Sequence, residues 1–284
     1  MATISSMTNN TYLMYNYAQK NGVSLFGSAS AARTPSASSL YGSSSSASDM
    51  GSLSSIKTGY SGLVSSYEET KSTFNAEMKG DLSDLSRSAQ KVQTMDYGLT
   101  SADITTKDDG TKTYSSALKT ALDNVKQFVS DYNDTADFFT DNASVSSRTK
   151  GLASAFSSPL AGREDAYAAI GITQDTKTGK LTLDEDKLAT ALTSAGDAQN
   201  KLGATYGERY ASGENSVQYL LGKNGLTGAA EKNVSLAQFQ GDKIFPSATQ
   251  MFGGETTVAS LYTGSTLLNI SGYATTGNLL NMMF

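Results

Sequence analysis

A heptad repeat between residues 118 and 139 constrains the fold more than any other feature of this sequence. Apolar residues follow one another at alternate steps of four and three, while Ala121, Phe128 and Phe138 widen the stripe. A seam with this spacing specifies a helical partner, and a wide stripe packs on two sides. The pattern predicts a long helix, capped by Ser115 or Ser116, whose partner is either another helix of the chain or a second subunit. The seven seam positions are Leu118, Leu122, Val125, Val129, Tyr132, Ala136 and Phe139.

A second heptad pattern lies upstream and predicts one long amphipathic helix over about residues 52 to 95. Its steps of three and four are interrupted near Phe74 by consecutive steps of four, which is the pattern of a stutter. Gly59, Gly62 and Gly80 each weaken an exposed helix by up to ~1 kcal/mol, so this helix needs a packing partner. Its apolar positions are Leu53, Ile56, Tyr60, Leu63, Tyr67, Phe74, Met78, Leu82, Leu85, Ala89 and Val92.

Two short β-hairpins are predicted between the helical segments. Asp109 and Gly110 separate two polar strands within 103–114, which is the signal of a two-residue type I′ turn. A second pair of strands lies within 170–183 around Gly179. Asp184 then caps a helix with an acidic first turn, and a shorter helix upstream ends before Pro159. Leu188 and Leu192 face inward on the capped helix, and Leu152 and Phe156 belong to the shorter one.

These patterns predict a mainly α fold of α+β type, with long heptad-patterned helices, small β-hairpins and a flexible N-terminal segment. Residues 1–50 are Ser-rich and bury too little apolar surface to offset their ordering entropy. Residues 51–97 form the first coiled-coil-type helix, and 98–196 form a module of hairpins and helices. Residues 197–284 are punctuated by glycine, and no charged residue occurs from 256 onward. This uncharged tail is expected to pack into a core or against other subunits.

Composition excludes several classes of function. The chain has no His and no Cys, so the usual zinc sites, thiolate nucleophiles and Ser-His-Asp triads cannot be built. With 22 basic and 27 acidic residues it has no basic excess to neutralise nucleic-acid phosphates. The sequence has no run of about 18 apolar residues that could span a membrane, and no signal peptide is visible, so if the protein leaves the cell we expect a route without a cleaved leader.

No motif of the chain has the chemistry of a catalytic, cofactor or metal site. The loop ending at Glu185 has the glycine and glutamate spacing of a calcium-binding loop, but Gln174, Thr176 and Thr178 occupy positions where carboxylates are required. Ser-x-x-Lys matches at Ser54 and Ser116 lie on heptad helices, where they are expected to be solvated. We therefore predict a protein that is not an enzyme and has no cofactor.

Two segments resemble the C-terminal region of the bacterial flagellar filament cap protein family, also called hook-associated protein 2. The first, 122–134, places Phe128 and Val129 shortly before Tyr132 and Asn133. The second is a Gly-Ile hairpin that leads into a Leu-Asp-Glu helix start, over 170–188. Order and spacing agree, and the resemblance covers about residues 115–196. It implies an exported, non-enzymatic structural subunit of the flagellar axis, cap-like or hook-associated, located on the flagellum or the cell surface.

The expected role of the apolar stripes and termini is self-assembly, by packing rather than by chemistry. The expected partner is a second copy of the chain, with flagellin and other flagellar axial proteins as further candidates. The alternative is a secreted surface adhesin, built on a flagellar-type module, that binds a host or glycan ligand. The predicted assembly residues are Leu53, Ile56, Leu63, Tyr67, Phe74, Leu118, Leu122, Val125, Val129, Tyr132, Leu279, Leu280, Met283 and Phe284.

Overall fold

The computed structural model describes residues 48–175 and 178–248, with the side chains of 48–60, 63, 204 and 205 outside that description. This part of the chain is mainly helical and contains two small antiparallel hairpins, so the predicted fold class is confirmed. Of the predicted flexible segment 1–50, residues 48–50 begin a helix, and the rest lies outside the described residues, as does the 256–284 tail with its predicted packing. The helices are α1 (Ser48–Gln93), α2 (Ser116–Asp141), α3 (Ser147–Phe156), α4 (Glu164–Ala169), α5 (Glu185–Ala211), α6 (Val217–Leu221) and α7 (Leu226–Gly241). The strands are β1 (Ile104–Thr106), β2 (Lys112–Tyr114), β3 (Ile172–Gln174) and β4 (Leu181–Leu183).

The described residues fall into two compact units, one of 76–242 and one that contains 48–75 with 243–248. In the second of these, Tyr67 and Phe74 are fully buried. The Tyr67 hydroxyl donates a hydrogen bond to the carbonyl of Pro246 at 2.7 Å, and the rings of Phe74 and Phe245 meet edge to face with centroids 4.9 Å apart. Aromatic packing and one satisfied hydroxyl therefore hold 243–248 against this part of α1.

The core of the larger unit is built around α2. Phe128, Tyr132, Phe139 and Phe156 are all fully buried, and the last two stack with ring centroids 5.3 Å apart. The Tyr132 hydroxyl donates to the carbonyl of Phe156 at 2.8 Å, so the buried phenol is satisfied at the end of α3. Helix α7 packs on α3, and the Asn233 amide donates to a carbonyl of α3 at 2.9 Å. The aromatic layer thus joins α2 to α3.

The two predicted helix caps are confirmed. Ser115 accepts a hydrogen bond from the backbone N–H of Leu118 at 3.1 Å, and Asp184 accepts one from Lys187 at 3.0 Å. The helix with Leu152 and Phe156 also ends before Pro159 as predicted, whereas α1 begins four residues earlier than expected and ends two residues earlier. Local signals that act within one turn were therefore the easiest to predict.

The first hairpin has a different turn from the predicted one. The pairing of Thr106 with Lys112 leaves a longer loop, and Gly110 N–H donates to the Lys107 carbonyl at 2.9 Å, so the turn centres on residues 108 and 109. Gly110 follows it with φ of +83°. The Asp109 carboxylate accepts a hydrogen bond from the N–H of Thr111 at 2.8 Å. This bond stabilises the observed turn, which replaces the predicted two-residue type I′ loop.

The glycine-punctuated region after 197 contains the rest of α5 and two further helices. Helix α5 continues to Ala211 with non-helical backbone at Gly203 (φ +73°), which glycine adopts without a steric cost. Helix α7 was not predicted, although Leu226, Ala230 and Val234 recur on one face and are buried. Small residues make such a stripe inconspicuous in the sequence. Within the described ranges, no helix has both the length and the apolarity that crossing a bilayer would require.

Candidate functional site

The predicted assembly residues of α2 lie inside the chain that carries them. Leu118, Val125 and Tyr132 are fully buried, and Leu122 and Val129 expose under a tenth of their surface. Their neighbours include α3, α5 and β4 of the same chain. A side chain that is already buried within its own subunit is not available to a second one. The heptad seam of α2 therefore packs within its own chain and not against a second subunit.

The predicted assembly residues of α1 divide into two groups. Tyr67 and Phe74 are buried against 243–248, as described above. Leu53, Ile56 and Leu63 lie on α1, but their side chains are outside the described set. The tail residues Leu279, Leu280, Met283 and Phe284 are also outside it. The role of these last seven positions in assembly stays a prediction.

One side chain joins the two segments that carry the flagellar resemblance. Asn133 on α2 donates its Nδ2 hydrogen to the Leu181 carbonyl at 2.9 Å, and its Oδ1 accepts the Leu181 N–H at 2.8 Å. The carboxamide therefore pairs with the edge of β4 as a neighbouring strand would, and satisfies both backbone groups. The adjacent Lys180 ammonium donates to Asp137 on α2 at 2.7 Å, which raises the pKa of Lys180.

A polar groove of 770 Å³ lies in the 76–242 unit. It lies among the end of α1, the residues after it, the second half of α5 and the segment 218–224. Gly203, where the backbone of helix α5 is non-helical, is one of its lining residues. Five carboxamide side chains contribute to the lining: Gln93, Gln199, Asn200, Gln218 and Asn224.

Two tyrosines of the groove are held in place by neighbouring groups. The Tyr97 hydroxyl donates to the Val92 carbonyl at 2.9 Å, and burial raises the pKa of Tyr97. The guanidinium of Arg163 lies 5.2 Å from the centroid of the Tyr219 ring, within the range of a cation–π contact. Arg163 also donates to the carbonyl of Glu214 at 3.2 Å. Each ring therefore has one defined contact with a neighbouring group.

One polar atom at the groove has no protein partner. The Nε2 atom of Gln93 is buried and makes no hydrogen bond within the described part of the chain. A buried N–H group without a partner costs about 1–3 kcal/mol, and such atoms are uncommon in native structures. Glu208 and Lys223 also line the groove, so its charged lining is one carboxylate and one ammonium. Sequence reasoning missed this site, because its residues come from three separate segments, 93–97, 199–212 and 218–224.

Carboxylates of α1 and α2 form a cluster in which like charges repel one another. Burial raises the pKa of Asp81, and the nearby charge of Asp134 raises it further, with Glu77, Asp84 and Asp131 adding to the repulsion. Across residues 48–175 and 178–248, no group of three or more acidic side chains has an arrangement that could hold a metal ion. The cluster is therefore a site of mutual repulsion and not a candidate metal centre.

Helix α5 also exposes aromatic surface beyond its kink. Tyr206 and Tyr210 are one helical turn apart and expose 64% and 43% of their surface. Residues at this spacing lie on the same face of a helix, so the two rings form one small patch.

Comparisons of the chain with protein-family models, with curated proteins and with solved structures each found no significant match.

Proposed function

We propose that the protein is a structural subunit of the bacterial flagellar axis, cap-like or hook-associated, which acts by self-assembly or by capping and assisting flagellin assembly. The observation that supports this proposal is the paired hydrogen bonding between Asn133 and Leu181. The two segments that resemble the flagellar cap family are far apart in sequence, and this contact makes them parts of one module. A chance likeness of two unrelated segments would not require them to meet.

The proposal assigns different roles to the two heptad patterns. The α2 stripe is the internal core of the module, since Leu118, Val125 and Tyr132 are fully buried. Assembly then belongs to the N-terminal part of α1 and to the uncharged tail that ends in Leu279, Leu280, Met283 and Phe284. Burial of apolar surface at ~25 cal/mol per Å² drives such an association without a cofactor.

The first experiment removes the tail. Deletion of residues 256–284 is expected to convert an assembling protein into a soluble monomer, because it removes uncharged apolar surface and no charge. Multi-angle light scattering of the full chain and of the truncated chain measures this change in mass. A matched full-length variant in which Leu279, Leu280, Met283 and Phe284 are replaced by Ser separates loss of apolar surface from loss of length. An unchanged oligomer mass in both variants would contradict the proposed role of the tail.

The second experiment tests the flagellar assignment itself. Deletion of the gene in the bacterium that encodes it is expected to abolish or shorten flagellar filaments, seen by electron microscopy of whole cells. Complementation with the full chain should restore the filaments, whereas the Ser-substituted tail variant should not. Normal filaments and motility in the deletion strain would overturn the flagellar assignment.

A second candidate function is that of a secreted surface adhesin, and the polar groove favours it. An axial subunit that only packs against its neighbours does not need a groove lined by five carboxamides and two tyrosines. Binding of the purified monomer to host cells, measured by flow cytometry, tests this candidate. No binding above that of an unrelated acidic control protein would count against it.

A further inference from the structure

The groove of the 76–242 unit offers the hydrogen-bonding groups that a ligand rich in hydroxyls requires. A carboxamide presents a carbonyl acceptor and two N–H donors, so five of them supply both kinds of partner along one surface. These five are Gln93, Gln199, Asn200, Gln218 and Asn224, and Thr94 and Ser212 add hydroxyls. A sugar hydroxyl also donates and accepts at the same atom. The two sets of groups are therefore complementary.

The charges of the groove favour a neutral ligand. Glu208 and Lys223 each contribute one charge of opposite sign, and no basic cluster is present in the lining. Anionic ligands such as phosphates are recognised by several basic groups together. A groove with balanced charge gives no such selection. The ligand it suits is uncharged and polar.

Gln93 provides a donor that the protein itself does not use. Its Nε2 atom is buried at the groove and has no hydrogen-bond partner among the described residues. Because this atom has no exposed surface, an acceptor oxygen on a ligand reaches it once the Gln93 side chain turns toward the groove, and the new hydrogen bond then removes the cost of the unsatisfied group. The nearby tyrosine rings add flat surface on which the C–H face of a sugar ring can pack.

An extended peptide fits this groove less well. Peptides that bind by their backbone usually add to the edge of a sheet, and the lining residues here belong to helices and loops of 93–97 and 199–224. A peptide helix needs a groove with apolar anchor pockets, but most of the lining side chains are polar. A volume of 770 Å³ lies within the range of ~300–1,000 Å³ that is typical of small-ligand sites.

We infer that this groove, with the Gln93 amide at its wall, binds a neutral oligosaccharide. The inference rests on the second candidate function and names the ligand class of that adhesin. It is independent of the tail, since the groove residues all lie within 93–224. Saccharide binding can therefore be tested on the full chain whatever its assembly state.

The test measures binding of tetrasaccharides of glucose, galactose and N-acetylglucosamine to the full-length chain by saturation-transfer NMR and calorimetry. At least one of them should bind, and a sialylated oligosaccharide and an uncharged Gly-Ser peptide should not. Gln93→Leu should weaken binding about tenfold, because it keeps the shape of the side chain and removes one buried donor. Gln218→Leu, at an exposed position of the lining, should weaken it about threefold without a risk to folding.

Gln90→Leu is the matched control, since Gln90 is exposed on the same helix and does not line the groove. It should bind the saccharide as the unaltered chain does. The inference is overturned if no neutral saccharide binds, if the peptide or the sialylated probe binds better, or if all three variants bind equally. Cell binding without saccharide binding would overturn the inference and leave the adhesin intact. Saccharide binding without cell binding would support the inference and overturn the adhesin function.

Discussion

The two hairpins of the 76–242 unit have strands of the same length and are held in the fold by different forces. In β1–β2 no strand residue is fully buried. This hairpin is anchored to α5 by an exposed hydrogen bond, which the Tyr114 hydroxyl donates to the Asp186 carboxylate. Lys112 adds an ion pair with Asp186 at 3.8 Å. In β3–β4 the side chains of Ile172 and Leu181 are buried instead.

The second hairpin is also held by hydrogen bonds between side-chain amides and backbone groups. Asn133 pairs with both backbone groups of Leu181, and the Gln174 amide donates to the carbonyls of Ser157 and Gly179 at 2.6 and 2.8 Å. An isolated two-stranded hairpin is at best marginally stable in water. Two hairpins of equal length therefore differ in stability through what they pack against, and three predictions test this difference.

The largest expected difference concerns the isoleucine that begins each hairpin. Ile172→Ala should reduce the free energy of unfolding by about 2–5 kcal/mol, because the side chain is fully buried and its removal leaves a cavity. Ile104→Ala should cost about 1 kcal/mol or less, since Ile104 is only half-buried. Urea unfolding followed by circular dichroism measures both. Equal losses would show that burial is not what separates the two hairpins.

The next difference concerns two glycines with positive φ, Gly171 at +87° before β3 and Gly110 at +83° before β2. A Cβ at Gly171 would lie 2.6 Å from the carbonyl oxygen of Asp184, whereas one at Gly110 would meet nothing within 4 Å. Gly110→Ala should therefore cost about 1 kcal/mol for its backbone strain alone. Gly171→Ala should cost about 1–3 kcal/mol more, because backbone must also move.

Unfolding of the two alanine variants under the same conditions gives this comparison directly. Gly110→Asn serves as a control for strain, since asparagine tolerates the left-handed region better than alanine does. It should recover part of the loss at this position. A Gly171→Ala variant as stable as Gly110→Ala would mean that the close approach of Asp184 is not a constraint.

The smallest expected effect is a pH dependence of the first hairpin that a tyrosine titration can follow. The hydrogen bond to Asp186 raises the pKa of Tyr114 from 10.0 to about 12. Because the folded pKa lies above the ordinary value, this anchor contributes fully below pH 10 and is lost as the pH rises toward 12. Asp186→Ala should return the Tyr114 titration to near its ordinary range in an ultraviolet absorbance titration.

A Tyr114→Phe variant identifies which part of that titration belongs to Tyr114. The titrations of Tyr67, Tyr97 and Tyr132, whose pKa values burial raises, should not respond to Asp186→Ala. If the titration of Tyr114 is the same with and without Asp186, the exposed anchor of the first hairpin is not formed in solution.

Local signals allowed much of the secondary structure to be predicted. The heptad steps of 118–139, the caps at Ser115 and Asp184 and the glycine turn at Gly179 each act within a few residues. The predicted turn of the first hairpin was wrong. The Asp109 carboxylate accepts a hydrogen bond from the N–H of Thr111, and the turn lies one residue earlier than predicted. Helix α7 was missed because its buried face contains small residues and a glycine, which weaken the periodic signal.

The candidate sites were much harder to predict. Asn133 was part of a recognised segment, but its spacing gave no indication that it would pair with the backbone of Leu181. The groove is lined by residues from three separate segments, among them Gly203 with its non-helical backbone. A carboxamide in a sequence has the same chemistry whether it points to water or to another segment, so composition cannot place it.

The sequence alone determined that this chain forms long amphipathic helices with two short hairpins, and that His, Cys and their chemistry play no part in it. The tertiary structure decided what those helices pack against. The α2 seam that could have met a second subunit is buried by its own chain. Apolar burial has no direction, so a stripe specifies that a partner is needed without specifying which one. Only the path of the whole chain resolves that choice.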